Sequence, residues 1–439
     1  MDDGIHPSAD ITRLHALRNH QKAWDSMTWS ETGFIFMEQG HCWELCGGVL
    51  CQATGTGGLS CVQLPSRFRG IEEKRWTLAN FGFNVRDFTI DPSQDLLVLL
   101  EATGLHQSFI VHLRSLSTGA PHSLAGGPTI IHSPCPLDTW KFAIQICRQR
   151  LGVLIQDSPI DNNDRELMVW DWKTSRLEMG IRGRDIQSFS FVSDDLILVA
   201  KVVPGHNGQS IPRLDILNVS QSESAILPSS GVDFICGLQY PSIKGEITEL
   251  LVRSEPAPSW MPQQVPFFTS KKERLFVVTC SVATEGDEVS VLFVPLSTIL
   301  AQAQAATGVP RSVVEWTNWG PGGTRMIARR PSETWVCYSF GMKFIHLLPW
   351  KKEPRARIYD FNPYTVNRGV SNAENGTPPV WKRLAKTQKI NAQISFFEED
   401  VVTSLPGRVG VVYLPITEPS RSWEAAMLSE DNVVAVSVG

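Results

Sequence analysis

The sequence predicts an all-β protein, a single β-propeller of about seven four-stranded blades, with six as the alternative count, and a short N-terminal helix. Short apolar runs separated by tight polar turns recur along the chain, which is the pattern of antiparallel strands repeated radially. One run, VWDWKTSRL, carries the dipeptide Trp170-Asp171 directly before a turn, as WD-type blades do. No clear linker divides the chain, so two separate sandwiches are not expected. We therefore predict an N-terminal helical segment at 1–30 and a propeller domain at 31–439.

Two segments have the spacing of a helix rather than that of a strand. Asp10 fits an N-cap. Apolar residues then recur at near-helical intervals: Ile11, Leu14, Leu17 and Trp24. This pattern predicts an amphipathic helix at 11–25. A second helix is predicted at 297–307, where STILAQAQAAT ends at Gly308.

The strand-like runs fall into recurrent sets, and each set has the content of one blade. The seven sets lie within 33–64, 87–115, 142–177, 188–220, 247–296, 324–350 and 394–415. Residues 33–439 number 407, or about 58 per set, whereas WD-type blades take about 40 to 45. Loop-like insertions account for the surplus. The last run, 432–438, has no partner nearby in sequence, and we expect it to close the ring by pairing into the first blade.

Composition and charge exclude several classes of protein. Apolar residues make up 42% of the chain, and 40 Lys+Arg against 45 Asp+Glu give a net charge of −5. A general nucleic-acid coat or a polybasic membrane binder is therefore not expected. No apolar run is long enough for a membrane span, and the opening residues contain no signal-peptide core, so we expect a cytoplasmic or nuclear protein. The nine cysteines include no C-x-x-C pair and are expected to be reduced, without a metal.

The search for catalytic motifs is negative, which predicts a protein that is not an enzyme and needs no cofactor. The chain contains no H-E-x-x-H, no P-loop and no G-x-S-x-G. The glycine-rich stretch 55–58 leads into no helix, and the acidic loop 157–164 lacks the glycine and glutamate of a calcium loop. Both are expected to be hairpin connections.

Uneven charge predicts a binding surface for a protein or peptide. Residues 310–400 contain 14 Lys+Arg and 8 Asp+Glu, a net of +6, so the rest carries −11. Trp260 lies in the loop APSWMPQQ and is expected to be exposed. The predicted site combines this tryptophan with basic residues: Trp260, Arg325, Arg329, Arg330, Lys351 and Lys352. Such a surface suits an acidic or phosphorylated target, and ordinary solvated loop charge is the alternative.

Three N-terminal strings resemble a large group of fungal, chiefly mushroom-type, F-box proteins. The strings are RLHALRNHQKAWDSMTW (13–29), WELCGGVLCQ (43–52) and VQLPSRFRGI (62–71). In that group an F-box precedes an R-L-x-x-L-R-x-H-Q-x-A-W segment, and a propeller-like β domain follows. The resemblance continues in order through DFTIDPSQDLLVLLE, ELMVWDWKTS and FFEEDVV, and so covers nearly the whole chain.

The resemblance implies the substrate-recognition part of a Skp–cullin–F-box ubiquitin ligase subunit. The F-box would lie before residue 10 and is expected to be missing here, so docking to a Skp-type adaptor is not expected. The resulting hypothesis is a non-enzymatic protein-binding module. The alternatives are a scaffold that works without a ligase and a propeller-fold hydrolase or lyase.

Overall fold

The structure is a computed structural model of the 439-residue chain. It describes residues 10–29, 31–37, 40, 42–102, 108–133, 141–156, 164–205, 209–222, 224–262, 264–283, 288–309, 311–328, 338–348, 353–368, 380–415 and 423–437. Three α-helices lie in this part of the chain: α1 (Asp10–Ser26), α2 (Leu296–Ala305) and α3 (Trp316–Gly323). None of these three is long and apolar enough to cross a membrane.

Strands make up most of the described structure. The first twelve are β1 (Trp43–Cys46), β2 (Val49–Ala53), β3 (Leu59–Gln63), β4 (Lys74–Leu78), β5 (Val85–Asp91), β6 (Leu96–Ala102), β7 (Phe109–Ser115), β8 (Thr129–His132), β9 (Lys141–Cys147), β10 (Arg150–Gln156), β11 (Arg165–Asp171) and β12 (Arg176–Gly183). The next ten are β13 (Ile186–Phe191), β14 (Leu196–Pro204), β15 (Ser210–Asn218), β16 (Ile226–Pro228), β17 (Cys236–Gln239), β18 (Ile247–Arg253), β19 (Leu275–Val282), β20 (Glu288–Pro295), β21 (Ser312–Val314) and β22 (Arg325–Ala328). The last nine are β23 (Ser339–Phe340), β24 (Lys343–Leu347), β25 (Arg355–Asp360), β26 (Trp381–Arg383), β27 (Gln388–Ile390), β28 (Val401–Thr403), β29 (Arg408–Tyr413), β30 (Ala425–Leu428) and β31 (Val433–Val436).

Six sheets of four or five strands form a six-bladed β-propeller, the smaller of the two predicted counts. In order along the chain, blades 1 to 6 are β1-β2-β3-β4, β5-β6-β7-β8, β9-β10-β11-β12-β16, β13-β14-β15-β17-β21, β18-β19-β20-β22 and β23-β24-β25-β29-β26. Two outer strands, β16 and β21, add in parallel to blades 3 and 4, and neither was predicted from the sequence. The all-β class and the N-terminal helix are confirmed.

Blade 2 illustrates how the sequence produces a blade. The carboxylate of Asp91 accepts the Ser93 N–H at 3.0 Å, and Asp95 adopts the left-handed conformation (φ 54°), which turns β5 back into β6. Leu96 to Leu100 of β6 are fully buried, although they point alternately to the two faces of the sheet. Both faces are covered because each blade packs between two neighbours, so its central strands are apolar throughout.

Strands of the last two predicted sets, 324–350 and 394–415, belong to blades 5 and 6 and do not form two further blades. This is why seven sets give six blades. Arg325–Ala328 pairs with β20 and is the outer strand of blade 5, not the first strand of a new blade. Arg408–Tyr413 pairs with β25 in blade 6. Helices α2 and α3 separate β22 from β20 in sequence, and this insertion concealed their pairing.

The chain ends in a hairpin that fills the gap between blades 6 and 1. Strand β31 pairs with β30, so the expectation that it would pair into the first blade is wrong. Val433 and Ala435 pack against the apolar cluster of blades 5 and 6. Val434 and Val436 pack with apolar side chains of blade 1. We call β30 and β31 the closing hairpin, because side-chain packing on both faces closes the ring.

Helix α1 confirms the predicted helix at 11–25 and begins one residue earlier. Its two halves differ, however. His20 and Trp24 in the second half are buried, whereas Ile11 and Leu14 in the first half are exposed. The predicted apolar face therefore packs over its second half only.

The second half of α1 lies where the ring closes. His20 Nε2 is 3.1 Å from the Asp431 carboxylate in the turn of the closing hairpin. Arg69 of blade 1 donates to the same carboxylate at 2.6 Å. We call His20, Arg69 and Asp431 the seam cluster. These three side chains are buried, and they join the helix, the first blade and the closing hairpin through one carboxylate.

A second set of polar contacts joins α1 to blade 6. Arg408 is fully buried and bonds both Asp360 at 2.8 Å and Asp25 at 2.7 Å. The indole N–H of Trp381 donates to the Trp24 carbonyl at 3.0 Å. Helix α1 is therefore bonded directly to blade 6 and is linked to blade 1 through the seam cluster. These two blades flank the gap that the closing hairpin fills.

The substitution Asp431→Asn tests the seam cluster. Burial alone would raise the pKa of Asp431, but Arg69 and His20 outweigh burial and hold the pKa below its usual value. Such a carboxylate adds stability above its unfolded-state pKa, and this stability disappears as the pH falls through the folded-state pKa. We expect Asp431→Asn to lower the free energy of unfolding by about 3 kcal/mol at neutral pH. Urea denaturation should also show a shallower loss of stability below about pH 4.

Asp10→Asn is the matched control, since Asp10 is fully exposed and pairs with Arg13 at 3.4 Å. An exposed pair of this kind contributes little, so its removal should leave stability unchanged at every pH. Equal effects of the two substitutions would contradict the role of the seam cluster.

Candidate functional site

One end of the central channel is covered by the long connection between β18 and β19, described at 254–262 and 264–274, which we call the plug loop. The Arg148 N–H of blade 3 donates to the Ser259 hydroxyl at 3.0 Å. The Gly341 N–H of blade 6 donates to the Glu255 carbonyl at 2.8 Å. A loop from blade 5 that contacts blades on both sides must lie across the channel mouth. We call this the plug end of the ring and the opposite one the far end.

Trp260 is the centre of the plug loop, and the expectation that it is exposed is wrong. Its side chain is 5% exposed. The indole ring lies on Gly47, in the first turn of blade 1, where an added Cβ would overlap it. The glycine has φ 59°, which the tight β1–β2 turn requires. Trp260 therefore packs on blade 1 and does not present an anchor to a partner.

The plug loop is also fixed at its C-terminal end by an arginine. Arg274 is fully buried and donates to the carbonyls of Val192 at 3.0 Å and Phe191 at 2.8 Å in blade 4. Burial lowers the pKa of Arg274 to about 10. A buried cation held by carbonyl oxygens of the next blade ties blades 4 and 5 together at the plug end.

Arg325 does not belong to an accessible basic surface, which corrects a second expectation. Its side chain is 1% exposed and donates to the Ala385 carbonyl at 2.8 Å. Arg325 also starts β22 at the plug end, because β22 runs antiparallel to β20 and pairs Arg325 with Phe293. The remaining residues of the predicted basic cluster, Arg329, Arg330, Lys351 and Lys352, lie outside the described residues.

The structure places a different site at the far end, in a cleft of about 840 Å³ between blades 3 and 4. The end of β12 and the turn after it form one wall, and the end of β14 with the start of β15 forms the other. The parallel strand β16 and the residues after it form the outer side. The cleft thus exists because blade 3 carries a fifth strand.

Lys201 lies on the floor of the cleft and is 3% exposed. Its ammonium group is 3.5 Å from Asp185, 3.6 Å from Asp215 and 3.3 Å from the Ser229 carbonyl. Asp215 is fully buried, and Arg213 holds it through two bonds of 2.6 and 2.8 Å. The floor is therefore a network of buried charges in which Asp215 is doubly paired.

Two arginines lie on the wall that the end of β12 and the turn after it form. Arg182 donates to the buried Glu166 at 2.8 Å, and the ring of His132 lies 2.8 Å from the other oxygen of the same carboxylate. Arg184 reaches Asp164 at 3.5 Å, with the two side chains 63% and 44% exposed. Arg184 is thus the most solvent-accessible of the cations named here.

Apolar side chains supply the rest of the lining. Leu227, Val232 and Phe234 face the cleft from the outer side. The guanidinium of Arg213 lies over the Phe234 ring at 4.8 Å, which fixes the ring as a flat wall. A polar floor beside an apolar wall suits a ligand that carries both kinds of group.

The carboxylates of the cleft are engaged in ion pairs. The described residues contain no group of three His, Cys, Asp or Glu side chains that could hold a metal ion. Each carboxylate named in the cleft lies in an ion pair with Lys201 or an arginine.

Sequence reasoning missed this site, although one signal was available. Lys201 and Asp215 interrupt otherwise apolar strands, LILVAKVV and RLDILNV. A charged residue inside such a run has to find a buried partner, and the two do pair across β14 and β15. The sequence does not show that β16 adds to blade 3 and so turns this pair into the floor of a cleft.

The substitution Gly47→Ala tests the position of the plug loop. A methyl group there would overlap the Trp260 ring and would sit on a backbone with positive φ. We expect the free energy of unfolding to fall by about 2 kcal/mol in urea denaturation. Gly55→Ala is the control, since an added Cβ at Gly55 meets nothing within 4 Å. A stable Gly47→Ala protein would mean that Trp260 does not lie on blade 1.

Comparison with known proteins gives distant structural similarity only. No family model and no curated protein matches it. It is similar to the uncharacterized protein lmo1340 from Listeria monocytogenes, with 12% identity and a TM-score of 0.38, over 75% of this chain and 82% of that one. It is also similar to the WD40 domain of SCAP from fission yeast (8% identity, TM-score 0.33, 85% and 94% covered) and to Sqt1 from Chaetomium thermophilum (12%, 0.34, 87% and 86%). Likeness at this level carries no argument about function, and the propeller assignment rests on the strand order of the chain itself.

Proposed function

We propose that the protein is a non-enzymatic interaction module that recognises a segment of a partner protein in the cleft between blades 3 and 4. The observation that carries this proposal is the cleft itself. It is an indentation of about 840 Å³ at the end of the ring opposite the plug loop. Its charged groups are paired and its outer wall is apolar, which suits recognition of a chain segment.

The two ends of the ring differ in how far their side chains are used to hold blades together. Trp260, Arg274 and the seam cluster take up the plug end with contacts between blades. Side chains that hold blades together cannot rearrange around a ligand without loss of stability. The far end is therefore the surface on which a partner can bind at the lowest cost in folding energy.

The resemblance to fungal F-box proteins extends the proposal to a role. A propeller of that group would recognise the substrate of a Skp–cullin–F-box ubiquitin ligase in the cytoplasm or the nucleus. A scaffold that works without a ligase would use the same cleft. The two roles therefore differ in whether the captured target is ubiquitylated. When an F-box is fused to the N-terminus of the chain, the ligase role predicts that the captured target becomes ubiquitylated.

Blocking the cleft tests the proposed function. Ser230 lines the cleft, is exposed and follows β16, so Ser230→Trp should fill the opening without disturbing the core. We expect affinity purification of the full chain, read by quantitative mass spectrometry, to lose most specific partners with this variant. Ser224→Trp is the matched control, because Ser224 is also exposed but precedes β16. Retention of every partner by Ser230→Trp would overturn the proposed site.

A further inference from the structure

We infer that the cleft selects a linear segment by one anionic side chain, a carboxylate or a phosphate, that lies next to an apolar side chain. This inference rests on the proposed function and adds the chemistry of the ligand. Two cations with weak ion pairs and an adjoining apolar wall carry it.

The first cation is Lys201, which is buried but loosely coordinated. Its three nearest acceptors, on Ser229, Asp185 and Asp215, lie at 3.3, 3.5 and 3.6 Å. Charge-assisted bonds to an ammonium group are normally about 2.7 to 2.9 Å long. Asp215 is held much more closely by Arg213, at 2.6 and 2.8 Å. The ion pairs of Lys201 are therefore weak, and its positive charge lies on the floor of the cleft.

The second cation is Arg184, in the turn that follows β12. Among the described residues its ion pair is with Asp164 at 3.5 Å, and both side chains are largely exposed. A pair of this kind contributes little to stability. A ligand anion can therefore displace Asp164, which returns to water, and can form a two-pronged contact with the guanidinium.

The remaining cations are already committed to buried carboxylates. Arg182 holds Glu166, which is 1% exposed, and Arg213 holds Asp215, which is fully buried. Removal of either partner would leave an unpaired buried charge. Arg182 and Arg213 therefore maintain the walls, whereas Arg184, whose partner carboxylate is exposed, is the cation most available to a ligand.

The apolar part of the ligand follows from the outer wall. Leu227, Val232 and Phe234 line the cleft beside these charges. A leucine or valine next to the anionic residue would contact this wall and be removed from water. A free anion would lack this contribution, so the site fits a side chain within a protein segment.

Three fluorescein-labelled decapeptides test the inference by fluorescence anisotropy with the full chain. They share the core Leu-X-Val between Ser-Gly flanks, and X is glutamate, phosphoserine or glutamine. We expect the glutamate or the phosphoserine peptide to bind at least about tenfold more tightly than the glutamine peptide. Preference between the two anions identifies the source of the charge. Equal binding of all three, or no binding up to about 1 mM, would overturn the inference.

Two arginine variants locate the charge recognition. Arg184→Gln should reduce binding of the preferred peptide by about tenfold. Arg176→Gln is the matched control, because Arg176 is 71% exposed at the opposite end of the same strand, β12. Arg184→Glu should in turn improve binding of a peptide with lysine at X. If Arg184→Gln leaves the affinity for the preferred peptide unchanged, the inference is contradicted.

The same variants separate this inference from the proposed function. If Ser230→Trp loses cellular partners but Arg184→Gln keeps them, the cleft binds a partner by other chemistry, and the inference alone fails. If Ser230→Trp keeps every partner, the proposed function fails as well. If Ser230→Trp and Arg184→Gln both lose cellular partners and Arg176→Gln keeps them, the proposed function and the inference are both supported.

Discussion

The fold depends on how the two ends of the chain close the ring. In the described residues the last strand does not hydrogen-bond to the first blade, so closure rests on side chains. The carboxylate of Asp431 is held between Arg69 and His20, which brings the closing hairpin, blade 1 and α1 to one buried point. Since an open ring would leave apolar blade faces in water, every blade depends indirectly on this contact.

Closure and the plug loop give the two ends of the molecule different properties. At the plug end, Trp260 packs on blade 1 and Arg274 ties blade 5 to blade 4. At the far end, blade 3 carries the additional strand β16, and the cleft forms between it and blade 4. The proposed binding site therefore lies away from the contacts that maintain the ring.

Much of the fold could be predicted from the sequence because it depends on local pattern. Apolar runs such as Leu96–Ala102 gave the strands, and near-helical spacing gave α1 to within one residue at each end. Features that depend on distant partners could not be predicted. The surroundings of Trp260 depend on where a 21-residue loop crosses the ring, and Arg325 is buried because β22 pairs with β20 across an insertion of two helices. The cleft was missed for the same reason, since strands from two blades build its walls.

Site-specific photocrosslinking at the two ends of the ring tests the central claim most directly. A photoreactive residue would replace Ser230 at the cleft in one full-length protein and Met261 in the plug loop, which is 54% exposed, in another. The account predicts that a partner recovered with the unmodified chain is crosslinked from position 230 and not from position 261. Crosslinking from position 261 alone would contradict it, because the partner would then bind at the end that we assign to closure.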